Sequence, residues 1–174
     1  MTAVLIAFGG LPGTGKSTVA QALARALGAV YLRIDTLEQA FLDADCGQRE
    51  IGPQGYMAAY AVAADNLRLG SHVVADSVNA LPITRNAWRD VAHAAGALLV
   101  EIELICTDAT LHRQRVETRE SGIAGHRTPT WQSVQERQYE QWDSAHLVID
   151  TAKLSVEQAI AMIIGHLSQP DIPP

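Results

Sequence analysis

The stretch Gly10-Leu11-Pro12-Gly13-Thr14-Gly15-Lys16-Ser17 decides the fold. Its spacing is GxxxxGKS, in which glycines let successive backbone N–H groups wrap a phosphate chain without Cβ clashes, and a following helix start adds partial positive charge. The flanks agree. The apolar run Val4 to Phe8 predicts a buried strand entering the motif, and Ser17 to Leu27, with Val19, Leu23 and Leu27 at helical spacing, predicts an amphipathic helix leaving it. A glycine-rich turn that merely contains a lysine would lack that context. Lys16 is expected to reach the β and γ phosphates of a nucleoside triphosphate. Ser17 is expected to ligate Mg2+ through its hydroxyl, and Thr18 to satisfy a nearby backbone or phosphate group.

Outward from the motif, short apolar runs recur at Val30 to Ile34, His72 to Ala75, Leu98 to Leu104 and Leu147 to Ile149. Between them lie segments of helical spacing, such as Trp88, Val91 and Ala95, or Val156, Ile160, Ile163 and Leu167. Strands alternating with helices, the strands apolar on both faces, predict a three-layer α/β domain with a parallel sheet. One domain over residues 1–168 is expected. Asp45 to Gly55, between helices at Leu37 to Leu42 and Tyr56 to Leu69, and Ser121 to Pro129, with a basic His126-Arg127 pair, read as loops. The proline-rich Gln169 to Pro174 reads as a poorly ordered tail.

Two aspartates stand at predicted strand ends, Asp35 and Asp76, where ligands of open α/β sheets bind. Phosphoryl transfer to an alcohol needs a carboxylate beside the attacking hydroxyl and another negative group to hold magnesium. Asp35 suits the first role and Asp76 the second, although the roles could be shared, and either residue could instead cap a helix or turn. Ser77 follows Asp76 where a hydrolysing motor would place a water-activating glutamate, and no guanine-reading NKxD segment is present. Both features favour transfer over hydrolysis. Arg113, Arg115 and Arg119 fall on a predicted helix from Asp108 to Glu120. Such a helix can close over a triphosphate and neutralise the transferred group, or its arginines can pair with Glu117 and Glu120 on a solvated face.

Composition bounds the class. The chain has 174 residues, 48% hydrophobic and 18% charged, which suits a globular protein with one core. A formal net charge of -6 repels a nucleic-acid backbone at long range, so nucleic acid is disfavoured as a partner. The two cysteines, Cys46 and Cys106, signal neither zinc nor a disulfide framework and suit a reducing cytoplasm. The histidines form no metal-binding pair, and of them only His126, in the loop, is of interest. Trp88, Trp131, Tyr139 and Trp142 read as core or helix contacts. No run is long enough to span a membrane.

With these residues in hand, the chain resembles the P-loop kinases that include polynucleotide kinase phosphotransferase domains, chloramphenicol phosphotransferase, gluconate kinase and shikimate kinase, and most closely bacterial predicted kinases of the AAA_33 type. The resemblance rests on GLPGTGKST at Gly10 to Thr18, on Asp35, on VVADSVN at Val73 to Asn79 with Arg85 beyond, and on Cys106 to Arg119. It implies a five-stranded parallel sheet of order 2-3-1-4-5 with a helical lid over about residues 108–130. It further implies that Asp35 is the base toward the acceptor hydroxyl, that Asp76, Asn79 and Arg85 line the acceptor cleft, and that Arg115 or Arg119 acts from the lid. The adenine would lie between the lid arginines and Asp150-Thr151-Ala152, which makes Thr151 a nucleotide contact. Polynucleotide kinases keep a basic substrate channel, whereas the Asp45 to Gly55 loop offers only Arg49. Arg33-Ile34-Asp35 also departs from the DxD of shikimate kinases. The expectation is therefore an ATP- and Mg2+-dependent kinase acting on a hydroxyl of a small molecule. The alternatives are a nucleoside or nucleic-acid-end kinase and a non-catalytic ATP-binding regulator.

Overall fold

The computed structural model describes residues 2–45 and 52–168. Five strands, β1 (Val4–Gly9), β2 (Val30–Arg33), β3 (Val73–Asp76), β4 (Leu98–Ile105) and β5 (Leu147–Asp150), form a parallel sheet of order β2-β3-β1-β4-β5. Parallel neighbours cannot be joined by tight turns, and helices supply most of the crossovers. These are α1 (Lys16–Leu27), α2 (Ile34–Ala44), α3 (Gln54–Arg68), α4 (Pro82–Ala95), α5 (Ala109–Thr118) and α6 (Trp131–Gln135), with α7 (Val156–Leu167) following the last strand. The strand order matches the one that the resemblance implied.

The continuous apolar reading of β1 follows from helices on both of its faces. Leu5 and Ala7 pack with Ala59 and Ala63 of α3 and Trp88 of α4, while Ile6 and Phe8 pack with Val19 and Leu23 of α1 and Ile163 of α7. All four β1 side chains are fully buried, each large one contributing roughly 1.5–3 kcal/mol. β1 sits between β3 and β4, so its carboxyl end opens on the point where the strand order reverses. The phosphate motif begins there.

Element ends differ from the sequence reading in ways that bear on the site. α2 begins at Ile34 with Arg33 in the capping position, so Asp35 lies inside the first turn of the helix and does not cap it. β3 ends on Asp76 itself. α3 begins at Gln54, which places Gly55 in a helix and not in the expected loop; a Cβ there would strike the Glu38 side chain, so this glycine permits close approach of α2 and α3. The middle of that loop, with Cys46 and Arg49, and the Gln169 to Pro174 tail lie outside the described residues.

Candidate functional site

The motif from Gly10 to Ser17 is tied around one carbonyl. Leu11 O accepts from Lys16 Nζ at 2.9 Å and from Thr14 Oγ1 at 2.8 Å, while Gly10 N–H donates to Val78 O at 3.0 Å. Gly10, at φ 129°, could carry no side chain, because a Cβ would collide with Leu104 O. Gly13, at φ 84°, lies against Val116 of α5. Pro12 O is 2.8 Å from Nε2 of the buried His112, and a carbonyl can only accept, so Nε2 carries the proton. Trp131 of α6 packs edge-on against that imidazole at 5.2 Å. Burial lowers the Lys16 ammonium to about 8, against the opposing pull of the Asp76 and Asp35 carboxylates. These bonds hold the loop in its wound form.

A cavity of about 970 Å3 opens over the motif, lined by Gly15, Lys16, Ser17, Thr18, Arg115, Arg119 and Thr151 among others. Arg115 donates to Thr151 Oγ1 at 2.8 Å and to Thr151 O at 3.2 Å, and Thr151 Oγ1 donates to Thr14 O at 2.8 Å. This chain of bonds ties α5, the loop after β5 and the phosphate motif together. Asp150 shapes the same loop by accepting from Thr107 Oγ1 at 2.6 Å and from Ala152 N–H at 3.1 Å. The Thr107 hydroxyl holds its carboxyl below the usual range. Arg113 instead pairs with the exposed Glu117 at 2.8 Å, on the solvated side of α5.

A second cavity, of about 520 Å3, adjoins the first and shares Lys16, Ser17 and Arg119 with it. One wall carries Asp35, Glu38, Tyr56 and Asp76; the other carries His126, Arg127 and Arg137. Asp76 accepts from Tyr31 OH at 2.6 Å and lies 3.9 Å from Arg33 Nε. Burial, with the Asp76 carboxylate next, raises the Tyr31 hydroxyl, so it remains a donor. Asp35 Oδ2 lies 3.4 Å from Arg33 Nη2, 3.4 Å from Arg119 Nη2 and 4.0 Å from His126 Nε2. Arg33 also donates to Ser121 O at 2.9 Å, linking both aspartates to the segment after α5. Burial, reinforced by Asp35, raises Glu38.

The donor chemistry fits Mg2+. Asp76 supplies a buried carboxylate and Ser17 a hydroxyl that no protein group engages among the described residues. The described residues hold no cluster of three metal-binding side chains. Two hard oxygen donors, with nucleotide phosphates and water to complete the shell, suit magnesium, which dehydrates reluctantly.

Two residues expected to contact the acceptor lie outside both cavities. Arg85 is fully buried and donates to Glu140 O at 3.0 Å and Gln141 O at 3.1 Å, with its guanidinium over the Trp142 ring. Asn79 is fully buried in a left-handed turn at φ 52°, its N–H donating to Tyr56 OH at 3.3 Å. Neither lines either cavity, because Arg85 anchors a distant backbone segment and Asn79 turns the chain beneath the motif. Sequence reasoning missed Arg33, Glu38, His112 and Arg137. Glu38 could have been found, since Asp35 and Glu38 at i, i+3 share a helix face; Arg137 has no local signal.

The model of the AAA_33 family, described as an AAA domain, matches residues 5–146. No curated protein sequence matches the chain. Among solved structures, a kinase by provisional assignment from Chloroflexus aurantiacus is 23% identical, with 95% of this chain and 96% of that one covered at a TM-score of 0.76. The APS kinase of Mycobacterium tuberculosis, in complex with AMPPNP and APS, is 19% identical over 97% of this chain and 99% of that one, with a TM-score of 0.67. A gluconokinase from Sinorhizobium meliloti is 21% identical over 95% and 96%, with a TM-score of 0.62. At these identities the likeness establishes the fold, which is that of P-loop kinases.

Proposed function

The chain belongs to the AAA_33 family, and from that premise we propose that it transfers the γ-phosphoryl group of Mg-ATP to a hydroxyl of a small molecule. The observation that carries this reading is the meeting of two cavities at Lys16, Ser17 and Arg119. A protein that only binds nucleotide needs one cavity; a transferase needs a donor site and an acceptor site sharing the reacting phosphorus. AMPPNP and APS in the mycobacterial APS kinase, and the gluconokinase, supply precedents for small acceptors on this fold.

In this reading the backbone from Gly10 to Thr18, with Lys16, binds the phosphates, and the adenine lies against the joined pair Arg115 and Thr151. Ser17 and Asp76 would hold Mg2+, whose charge offsets that on the phosphate oxygens. Asp35 accepts a hydrogen bond from the acceptor hydroxyl and takes its proton as oxygen bonds to the γ-phosphorus and the bond to the ADP oxygen breaks. Arg115 and Arg119 neutralise the charge of the transferred group. Arg119 reaches both Asp35 and the donor cavity, so turning to phosphate would release the base. Residues 108–130 serve as the lid that excludes water. A bound acceptor of metabolite size suits a cavity of about 520 Å3.

Asp35→Asn is the test. The expected result is a fall in phosphoryl transfer of at least about a hundredfold, the usual scale of a lost general base, with ATP affinity retained. Unchanged transfer would remove Asp35 from the mechanism.

A further inference from the structure

The second cavity is divided by charge. Its acidic wall, Asp35, Glu38 and Asp76, comes from α2 and the end of β3, whereas the facing wall between residues 126 and 137 presents Arg127 and Arg137 to the cavity and no carboxylate. Arg33, Arg115 and Arg119, the other arginines of the two cavities, are each engaged by protein oxygens. Arg127 and Arg137 have no hydrogen bond or ion pair with any described residue. Unpaired cations facing a cavity are available to a ligand.

The backbone that carries Arg137 is fixed at both ends. On one side Thr130 caps α6 through Ser133 N–H at 3.2 Å, and Trp131 packs on His112. On the other, Arg85 holds the carbonyls of Glu140 and Gln141. Arg89 adds Ser144 Oγ at 2.6 Å while itself bound to Glu101 at 3.0 Å. A guanidinium on a tethered backbone loses less freedom when it closes on an oxyanion, and two of them can fork a carboxylate or phosphate.

We infer that the acceptor is an anionic alcohol, a small molecule carrying a carboxylate or phosphate besides its reactive hydroxyl, with the oxyanion bound by Arg127 and Arg137. This rests on the phosphotransfer reading and sharpens it. The divided cavity then orients the acceptor. Its anion meets the basic wall and its hydroxyl meets Asp35.

The test fills the donor site with MgAMPPNP and titrates inorganic phosphate by calorimetry, comparing the wild-type protein with the double variant Arg127→Gln, Arg137→Gln. Phosphate is expected to bind the wild-type protein and to bind the double variant at least about tenfold more weakly, the scale of a charge-assisted bond. Absence of phosphate binding to the MgAMPPNP-filled wild-type protein, or binding that the substitutions leave unchanged, would overturn the inference. A second arm compares ADP release with glycerate and glycerol 3-phosphate against glycerol and glucose. Preferred transfer to the neutral alcohols would overturn the anionic acceptor while leaving phosphotransfer standing. Failure of the wild-type protein to take up MgAMPPNP would strike phosphotransfer first and this inference with it.

Discussion

Lys16 holds a charge in a place that disfavours it. Burial brings its ammonium to about 8, and a bound triphosphate would favour the charged form, so nucleotide binding should draw a proton onto it. The sign follows from the two states: near pH 8.5 the free protein is largely deprotonated at this site and the complex is not. Titration calorimetry in two buffers of different ionisation enthalpy should therefore show proton uptake near pH 8.5 and almost none at pH 6.5. Lys16→Met should abolish the uptake and weaken ATP binding by at least about tenfold. Equal uptake at both pH values would contradict the assignment. Gly13→Ala should cost about 1–3 kcal/mol in urea unfolding, because it forces a positive φ on a side chain and presses Val116. These residues were legible in the sequence because their chemistry is local: a glycine turn, a lysine and a hydroxyl within eight positions. Arg85 was not, since its partners lie at Glu140 and Gln141 and leave no periodic trace.

Strands and helices with their own apolar pattern were read to within three residues. β1, for instance, was expected to end at Phe8 and ends at Gly9. α6 and the irregular stretch after it were not read as a unit, because they are held by side chains from elsewhere and not by a repeating apolar face. Arg85 and Arg89 grip that stretch from α4, and His112 supports α6 from α5. Arg85→Met should therefore destabilise the protein by about 1.5–3 kcal/mol and open residues 136–146 to limited proteolysis, with MgATP affinity little changed. A protease pattern identical to that of the wild-type protein would contradict this anchoring role. The glycine in α3 carries the same lesson. Gly55 read as a loop residue from sequence, yet its smallness serves the approach of α2 and α3, which also brings Glu38 and Tyr56 to one cavity.

For the molecule as a whole, pattern predicted a layered parallel α/β domain, and the resemblance supplied the strand order that the sheet has. What neither supplied was the second cavity, which is assembled from the phosphate motif, the start of α1, α2, α3, β3 and the segment after α5, so its charge division exists only in three dimensions. The net charge of -6 argues that oligonucleotides should bind only weakly; tight, salt-sensitive binding of a short oligonucleotide would favour a nucleic-acid-end kinase instead. Phosphotransfer is tested most directly by ADP release from Mg-ATP by the wild-type protein across a panel of small alcohols, nucleosides and oligonucleotides. Stimulation by at least one small alcohol, with the phosphoryl group recovered on its hydroxyl, is the predicted result. ATP binding with no stimulation by any member of the panel would contradict phosphotransfer and leave a nucleotide-binding regulator.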